Sequence, residues 1–570
     1  MRCIMTMLSD ISTRDELATL LGIKVSTLTY VLYKVKVDSF YTSFEIPKKN
    51  GGRRQIDAPT GTLKFIQERI AFILRKHQAA LQSSQNTRTN ISHAFERGKS
   101  IITNARIHRN KYIVLNFDLE HFFESFHFGR VAGYFEKNRD FHLQHNIAIM
   151  IAQLTCYKGH LPQGAPSSPI ITNLICQILD MHILKIAQKY RLDYTRYADD
   201  LTFSTNDRSF REKNDQFIDE LNNEIVQSGF SINQKKTRII LRDSQQVVTG
   251  LVVNQKINVK AEYRRMTRAM AHQLYTTGSF QIDGQDGTLS QLEGRFSFIS
   301  QLDKYDNLLN GNKRNFYKLN GNERQYRAFM FYKLFYINDK PLIVTEGKTD
   351  IRYLKAALRS LWKHYPELIT KDSNGIFHYK IAFLRKTKKL KYLMGIQQDG
   401  ADTMKNIYNY FCDNNNDKIP NYYAFFSKMR PAINQQPVVF LFDNEMKTDR
   451  PISKFLSHIK ADESKKNELS MNHFMHLISS TNLYLLTNNL VDGMQECEIE
   501  FLFDSATRAH KIGGRELCLK DKYDKKIYYG KNEFSRFISQ NYAQIDFCRF
   551  KPLLDTLLKI VTTHSRIEIT

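Results

Sequence analysis

A single Trp among 570 residues, and seven Cys with no C-x-x-C pair among them, remove several classes at once. The cysteines (Cys3, Cys156, Cys176, Cys412, Cys497, Cys518 and Cys548) are spaced too widely for a zinc knuckle or a redox dithiol. Sparse and odd in number, they fit a reducing compartment rather than a disulfide scaffold. No apolar run approaches the ~18 residues of a membrane span. The N-terminal MRCIMTMLSDISTRDE turns polar too early for a signal peptide. The expectation is a cytoplasmic chain with no membrane partner. Acid is scarce relative to base, since 58 Asp plus Glu against 83 Lys plus Arg leaves a formal net charge of +25. That surplus points to a polyanionic partner, through phosphate neutralisation and counterion release.

What is present is ordinary for a folded protein. Hydrophobic residues make up 42% and charged residues 25%, too apolar for disorder. The length exceeds what one core usually organises, so two or more domains are expected. Thr13-Arg14-Asp15-Glu16 reads as a capping box opening a helix that Gly22 stops. A basic hairpin is expected over Phe44 to Ile56, with Lys48, Lys49, Arg53 and Arg54 around a Gly-Gly turn. Strands are expected at Tyr112–Phe117 and near Tyr194–Tyr197. The stretch 309–325, with two LNGN tetrapeptides, reads as a linker. Beyond it come a strand Pro341–Val344, a helix with Ile351, Leu354, Leu358 and Leu361 on one face, and a strand Pro437–Phe442. Asp413–Asp417 reads as a loop and Arg385–Lys391 as a basic run.

Asp118 ends the first of these strands, while Asp199 and Asp200 sit at the turn of a strand–turn–strand segment. Carboxylates side by side repel unless a cation neutralises them, and hard oxygen ligands suit Mg²⁺. Two such ions ~3.5–4 Å apart activate an attacking hydroxyl and stabilise the leaving oxygen of a phosphoryl transfer. An Asp-Asp pair alone is weak, but flanking β-formers and a third acid at another strand end make it strong.

Phe117-Asp118 with Phe122-Phe123, Leu161 to Pro169 (LPQGAPSSP) and Tyr197-Ala198-Asp199-Asp200 resemble successive motifs of reverse transcriptases, in order and spacing, over roughly residues 30–310. The resemblance implies a right-hand fold of fingers, palm and thumb, with Asp118, Asp199 and Asp200 as ligands of two Mg²⁺. It implies that Phe123 excludes a 2′-hydroxyl on the incoming dNTP, and that Gln163 and Gly164 lie against the nascent pair. Lys48, Arg53 and Arg54 would grip the triphosphate, and Lys236 would serve as general acid for pyrophosphate. Asn104-Ala105-Arg106-Ile107-His108 and Val248-Thr249-Gly250 resemble signatures of the retron branch. That family recognises its own structured noncoding RNA, primes from an internal 2′-hydroxyl and yields a branched RNA–DNA molecule. Asn104, His108, Val248, Thr249 and Gly250 are then expected RNA contacts. Taken alone, His108 reads as a packed histidine. The helix from about Glu262 carries Arg264, Arg265, Arg268 and His272 near one face, as suits a thumb on a duplex backbone.

Val344-Thr345-Glu346-Gly347-Lys348-Thr349-Asp350 sets an acid after a strand and a Gly at the turn, and Asp443-Asn444-Glu445 follows a second strand. Open α/β sheets put their sites at those carboxyl ends. These residues resemble a Toprim domain, with Glu445 where the pattern has Asp. Glu500, among the alternating Glu496, Glu498 and Glu500, and Lys531 resemble the later acid and lysine of overcoming-lysogenization-defect nucleases. Read without the family, the three glutamates form an alternating solvated strand. Glu346, Asp443 and Lys531 would be catalytic, and Glu346, Asp443, Glu445 and Glu500 would bind Mg²⁺ or Mn²⁺.

The expected class is thus α/β and α+β multidomain: fingers and palm at 1–250, thumb at 251–308, a linker at 309–335 and a Toprim domain at 336–570. The expected activity is RNA-directed DNA synthesis on the cognate RNA, with a nuclease effector against phage whose target is RNA or DNA. Two alternatives stay open: a non-catalytic Toprim clamp, or a reverse transcriptase serving another element such as a group II intron. Homo-oligomerisation also stays open.

Overall fold

The computed structural model describes residues 8–48, 51–85, 90–309, 311, 315–397, 400–414, 418–433, 435–447, 449–520 and 522–567. Lys49, Asn415, Asn416 and Asp417, which belong to two of the expected features, lie outside the described residues. The chain divides into two units, 1–261 and 262–570.

In the first unit, Thr13 accepts from the Glu16 backbone and Glu16 reaches back to it, opening α1 (Arg14–Leu21), which Gly22 ends at φ 70°. This is the expected capping box. The antiparallel hairpin of β1 (Tyr41–Pro47) and β2 (Arg53–Pro59) follows. After α2 (Ile101–Ile107) comes β3 (Ile113–Asp118). The helix α3 (Ser168–Lys189) leads to the pair β4 (Asp193–Tyr197) and β5 (Asp200–Thr205), and then to β6 (Arg238–Leu241). These strands form one antiparallel sheet in the order β4-β5-β3-β6. The short pair β7 (Val247–Val248) and β8 (Leu251–Val252) follows.

By length and mean composition α3 alone among the described residues could cross a membrane, although no unbroken apolar run in it reaches that length. Its Thr, Asn, Gln and Asp interrupt the apolar letters and hide the run. In the fold, 67% of its most apolar stretch is buried inside the unit, so its apolarity is spent on the core.

The helix α4 (Ala261–Thr277) buries Thr267, Met270, Ala271, Leu274 and Tyr275. The last four join the second unit's core. The expected linker at 309–335 is corrected. Asn320 of the second LNGN caps α5 (Gly321–Phe331), with Glu323 closing a capping box, and Tyr326, Phe329 and Phe331 are buried. The Asn-Gly-Asn-Glu letters that read as a turn are a helix start.

The second unit's sheet combines β9 (Leu342–Thr345), β12 (Ala382–Phe383), β13 (Val438–Phe442), β14 (Phe474–His476) and β15 (Leu483–Thr487). The order is β12-β9-β13-β15-β14, parallel except for the edge strand β14. The helix α6 (Lys348–Ser360) follows β9, and the antiparallel pair β10 (Ile369–Lys371) and β11 (Phe377–Tyr379) precedes β12. Alternate residues serve opposite faces. Val344, Val438, Phe440 and Leu485 enter one core cluster, while Ile343, Val439, Leu441 and Leu486 enter the other. Strands buried on both faces read as the continuous apolar runs seen here. The later helices include α7 (Lys388–Met394) and α8 (Lys531–Gln540).

Candidate active sites

The first site stands at one end of the four-stranded sheet. Asp118 pairs with Asp200 across β3 and β5, and Tyr197 pairs with Asp200 across the two-residue turn Ala198-Asp199. Ala198 holds φ 56° there, a conformation a glycine would take freely. The turn is anchored from behind. Arg196, fully buried, donates Nε and Nη2 to the two oxygens of Asp180 on α3, each at 2.8 Å. Tyr194 Oη donates to Asp180 Oδ1 at 2.9 Å, and Arg196 Nη1 donates to the Ala198 carbonyl at 3.3 Å. A bidentate guanidinium–carboxylate pair thus sets the strand that carries the acids. Sequence reasoning missed both partners. Their signals were an Asp inside an apolar helix and an Arg inside a buried strand.

Burial raises the pKa of Asp199, and Asp118 adds to the rise. Asp200 is pushed up to about 7, by burial first and then by the charges of Asp199 and Asp118. The three acids therefore feel one another, as ligands of a shared cation do before it binds. Lys236 Nζ donates to Asp118 Oδ1 and Oδ2 at 2.8 and 2.9 Å, and that bond holds its own pKa up. Among the described residues no group of three acidic, cysteine or histidine side chains closes around a point as a metal cage. The donor chemistry nonetheless fits a hard divalent cation, whose charge the Lys236 ammonium partly supplies at Asp118.

The hairpin approaches closely. Asp57 N donates to the Gln163 carbonyl at 2.8 Å, and Gly164, at φ +122°, leaves no room for a side chain. A Cβ on it would meet Ile56 Cγ2 at 2.8 Å and the Asp57 carbonyl at 3.0 Å. Lys48, Arg53 and Arg54 are exposed on the hairpin, Arg53 pairing with Glu45 at 2.9 Å. The charge of Arg54 reaches Asp199 and opposes its rise. Phe123 is half-buried, edge-on to Phe122 at 5.5 Å.

Three expected RNA contacts are corrected. Asn104, His108 and Val248 have no exposed surface, so none can touch RNA directly. His108 lies between strands, its Nε2 2.7 Å from Thr195 Oγ1 on β4 and its Nδ1 2.8 Å from Ser204 Oγ on β5. Burial lowers its pKa to about 3, so it is neutral. It is the packed histidine that its residue type alone suggested. Thr249 (φ 46°) and Gly250 (φ 83°) form the turn between β7 and β8. On α4, Arg265, Arg268 and His272 are exposed opposite the apolar face, while Arg264, at i−3 and i−7 from the buried Thr267 and Ala271, is half-buried beside it.

The second site lies at the carboxyl ends of the adjacent parallel strands β9 and β13. Asp443 N donates to Glu346 Oε1 at 3.1 Å, and Ile499 N donates to Asp443 Oδ1 at 2.8 Å. Asp350, in the first turn of α6, accepts from Gly347 N at 2.9 Å and was not chosen from sequence. Its signal was the Gly-x-x-Asp spacing at a helix start. Glu500 is fully buried, and among the described residues its Oε1 meets no donor in full hydrogen-bond geometry, the nearby Tyr353 hydroxyl interacting with the carboxylate. The alternating exposed strand expected for the glutamates is therefore corrected, because Ile499–Leu502 is a 3-10 turn that tucks Glu500 inward. Lys531, first residue of α8, donates to Glu498 Oε2 at 3.0 Å and Glu500 Oε2 at 3.1 Å.

Burial pushes Glu346 up to about 8 and Glu500 up to about 7. It also raises Asp350 and Asp443, whose charges repel each other and Glu346. Burial opposes the charge on Lys531, but Glu500 and Glu498 outweigh it and hold that pKa above its usual value. Buried, mutually repelling carboxylates gathered at one place fit a divalent cation. Glu445 is buried and already paired with Arg450 at 3.3 Å.

Residues 46–263 match the family model described as reverse transcriptase (RNA-dependent DNA polymerase). The retron Ec86 reverse transcriptase of Escherichia coli is 36% identical over 286 residues, 49% of this chain and 82% of that protein. The retron Mx162 reverse transcriptase of Myxococcus xanthus is 31% identical, over 52% of this chain and 65% of that protein. For the retron Mx65 enzyme of the same organism the values are 31%, 51% and 68%. Among solved structures, an apo telomerase from Candida tropicalis truncated from its C-terminal domain is 16% identical, covering 40% of this chain and 56% of that one, with a TM-score of 0.29. About half of this chain lies outside each of the three retron matches. With acids at the strand ends, and more than four-fifths of a retron enzyme spanned at that identity, the chain belongs to the retron reverse transcriptases.

Proposed function

We propose that the chain copies part of a cognate structured noncoding RNA into DNA branched from that RNA, with its palm acids in the first unit, and that the second unit also carries a metal-dependent nuclease of the Toprim type acting as effector against phage. The carrying observation is that Asp118, Asp199 and Asp200 crowd one end of the sheet with a lysine drawn onto them. Mg²⁺ held by these acids would neutralise them and activate the primer hydroxyl. The chain's own residues bind and orient. Arg54, with Lys48 and Arg53, grips the triphosphate, Phe123 excludes a 2′-hydroxyl by bulk, and Gln163 and Gly164 back the nascent pair. Lys236 carries the proton for the departing pyrophosphate. Thr249 and Gly250 meet the RNA in a turn that Thr249 ties to the start of α2 through the Ile101 carbonyl, and Arg265 and Arg268 of the second unit are the expected thumb bases for a duplex backbone.

The second half of the reading is supported by Glu346 and Asp443 at neighbouring strand ends, with Asp350 and Glu500 beside them. Glu346, Asp443 and Glu500 would hold Mg²⁺ or Mn²⁺, and Lys531 would steady the charge that develops at a scissile phosphate. Glu445 joins only by releasing Arg450. Asp199→Asn or Asp200→Asn should abolish DNA synthesis on the cognate RNA while RNA binding persists, since the ligand charge is lost and the phosphate grip is not. Normal DNA yield from either variant would overturn the assignment.

A further inference from the structure

The basic run Arg385–Lys391 does not stand alone. Its first residues follow β12, the strand beside β9, and so return to the carboxyl end of the sheet where Glu346 stands. Lys386 Nζ donates to the Glu346 carbonyl at 2.8 Å. Arg385 is exposed next to it, close enough to Lys355 on α6 to disfavour the ammonium there. Burial is the larger cause of that lowered pKa, and Arg359 adds to it. Aromatic rings interleave these bases. Lys355 Nζ lies 5.4 Å from the centre of Tyr379 and 5.3 Å from that of Phe383, and Arg359 Nε donates to Tyr379 Oη at 2.9 Å.

Lys355, Arg359 and Arg385 form no ion pair with an acid among the described residues. Like charges gathered without counter-charge beside a carboxylate site are matched by a polyanion rather than by a peptide or a neutral metabolite. Half-buried tyrosine and phenylalanine faces among them suit nucleobases. At ~1.5 Å per residue, Lys355 and Arg359 lie about 10 and 16 Å along α6 from its start at the site. At ~3.4 Å per stacked nucleotide, that reach is about five nucleotides.

Resting on the nuclease reading, we infer that Arg385, Lys355 and Arg359 form a track for a nucleic-acid strand, so that the second site needs a substrate extending about five nucleotides to one side of the scissile bond. Lys386, at the head of the track, contacts the phosphate nearest the acids.

The test uses the full chain with Mn²⁺ and end-labelled DNA and RNA oligonucleotides of 4, 8, 12 and 20 residues. For whichever polymer is cut, the half-saturating concentration should fall about tenfold or more between the 4-mer and the 12-mer. In Lys355→Gln/Arg359→Gln/Arg385→Gln that fall should vanish, and the slope of log affinity against log salt should shrink by about 2, from three phosphate contacts at ~0.7 each. If the triple variant melts early, Lys355→Gln/Arg385→Gln replaces it, with a loss of about 1.4 in slope. A variant that keeps the wild-type length dependence and slope overturns the track. If wild type cuts neither polymer, the nuclease reading falls, and the track is judged separately by photocrosslinking a 4-thiothymidine 12-mer. Crosslinks at 377–385 that disappear in the variant support the track, and their absence from wild type overturns it.

Discussion

Arg196 should be the residue whose loss separates stability from catalysis in the first unit. It is fully buried, binds both oxygens of Asp180 at 2.8 Å, and reaches the Ala198 carbonyl inside the aspartate turn. Arg196→Met leaves the Asp180 carboxylate in the core with, among the described residues, only the Tyr194 hydroxyl donating to it, and breaking a buried pair from one side costs about 3–5 kcal/mol. For a unit of this size, at ~2–4 °C per kcal/mol, the melting transition should fall by about 10 °C. Removing the group as a whole, with Arg196→Met, Asp180→Leu and Tyr194→Phe together, should restore most of that loss, because no charge or hydroxyl is then stranded. DNA synthesis should stay low in the triple variant, since nothing then ties Ala198 to α3. The assay pairs thermal unfolding by circular dichroism with primer extension on the cognate RNA. A single variant as stable as wild type, or a triple variant with full synthesis, would refute the reasoning.

Gly164→Ala should cost about 2–3 kcal/mol, from a φ of +122° and a Cβ driven into Ile56 and the Asp57 carbonyl. The half-saturating dNTP concentration should rise as the hairpin is pushed off, and steady-state extension that is unchanged would place the nucleotide elsewhere. Metal linkage supplies a further test. Asp200, Glu346 and Glu500 have folded pKa values raised to about 7, 8 and 7 above ordinary carboxylate values. Their contribution to stability is therefore full below the unfolded carboxylate value and is lost as pH rises towards 7–8. The metal-free protein should melt lower at pH 8 than at pH 5.5, and the gain in melting temperature on adding Mg²⁺ should grow over the same interval. A gain independent of pH would contradict proton–metal competition at these acids.

Much of this was legible because local chemistry and tertiary packing agree. The Thr13–Glu16 box, the Gly-Gly hairpin, and Asp118, Asp199, Glu346 and Asp443 at strand ends each carry their own signal in a few letters. What escaped depends on partners far apart in the chain. Asp180 reads as an interruption in α3 until Arg196, sixteen residues on, is seen to neutralise it. Glu500 reads as one of three alternating acids, and only the 3-10 turn at Ile499–Leu502 separates its buried carboxylate from Glu496. Asn320 reads as a turn residue in a repeated LNGN, yet Glu323 makes it a helix cap. Lys386 reads as one base in a run, and the parallel pairing of β12 with β9 brings it to Glu346.

The most direct measurement of the central claim is to assay DNA synthesis and nucleic-acid cleavage side by side in wild type, Asp199→Ala and Glu346→Ala, with Mg²⁺ or Mn²⁺ supplied and folding verified first. The acids fall in separate units with separate cores, so their effects should be independent. Asp199→Ala should lose synthesis. Glu346→Ala should synthesise DNA near the wild-type level while cleavage and cellular toxicity disappear. A Glu346→Ala protein that stops copying RNA, or that still cleaves robustly, would contradict the two-site account.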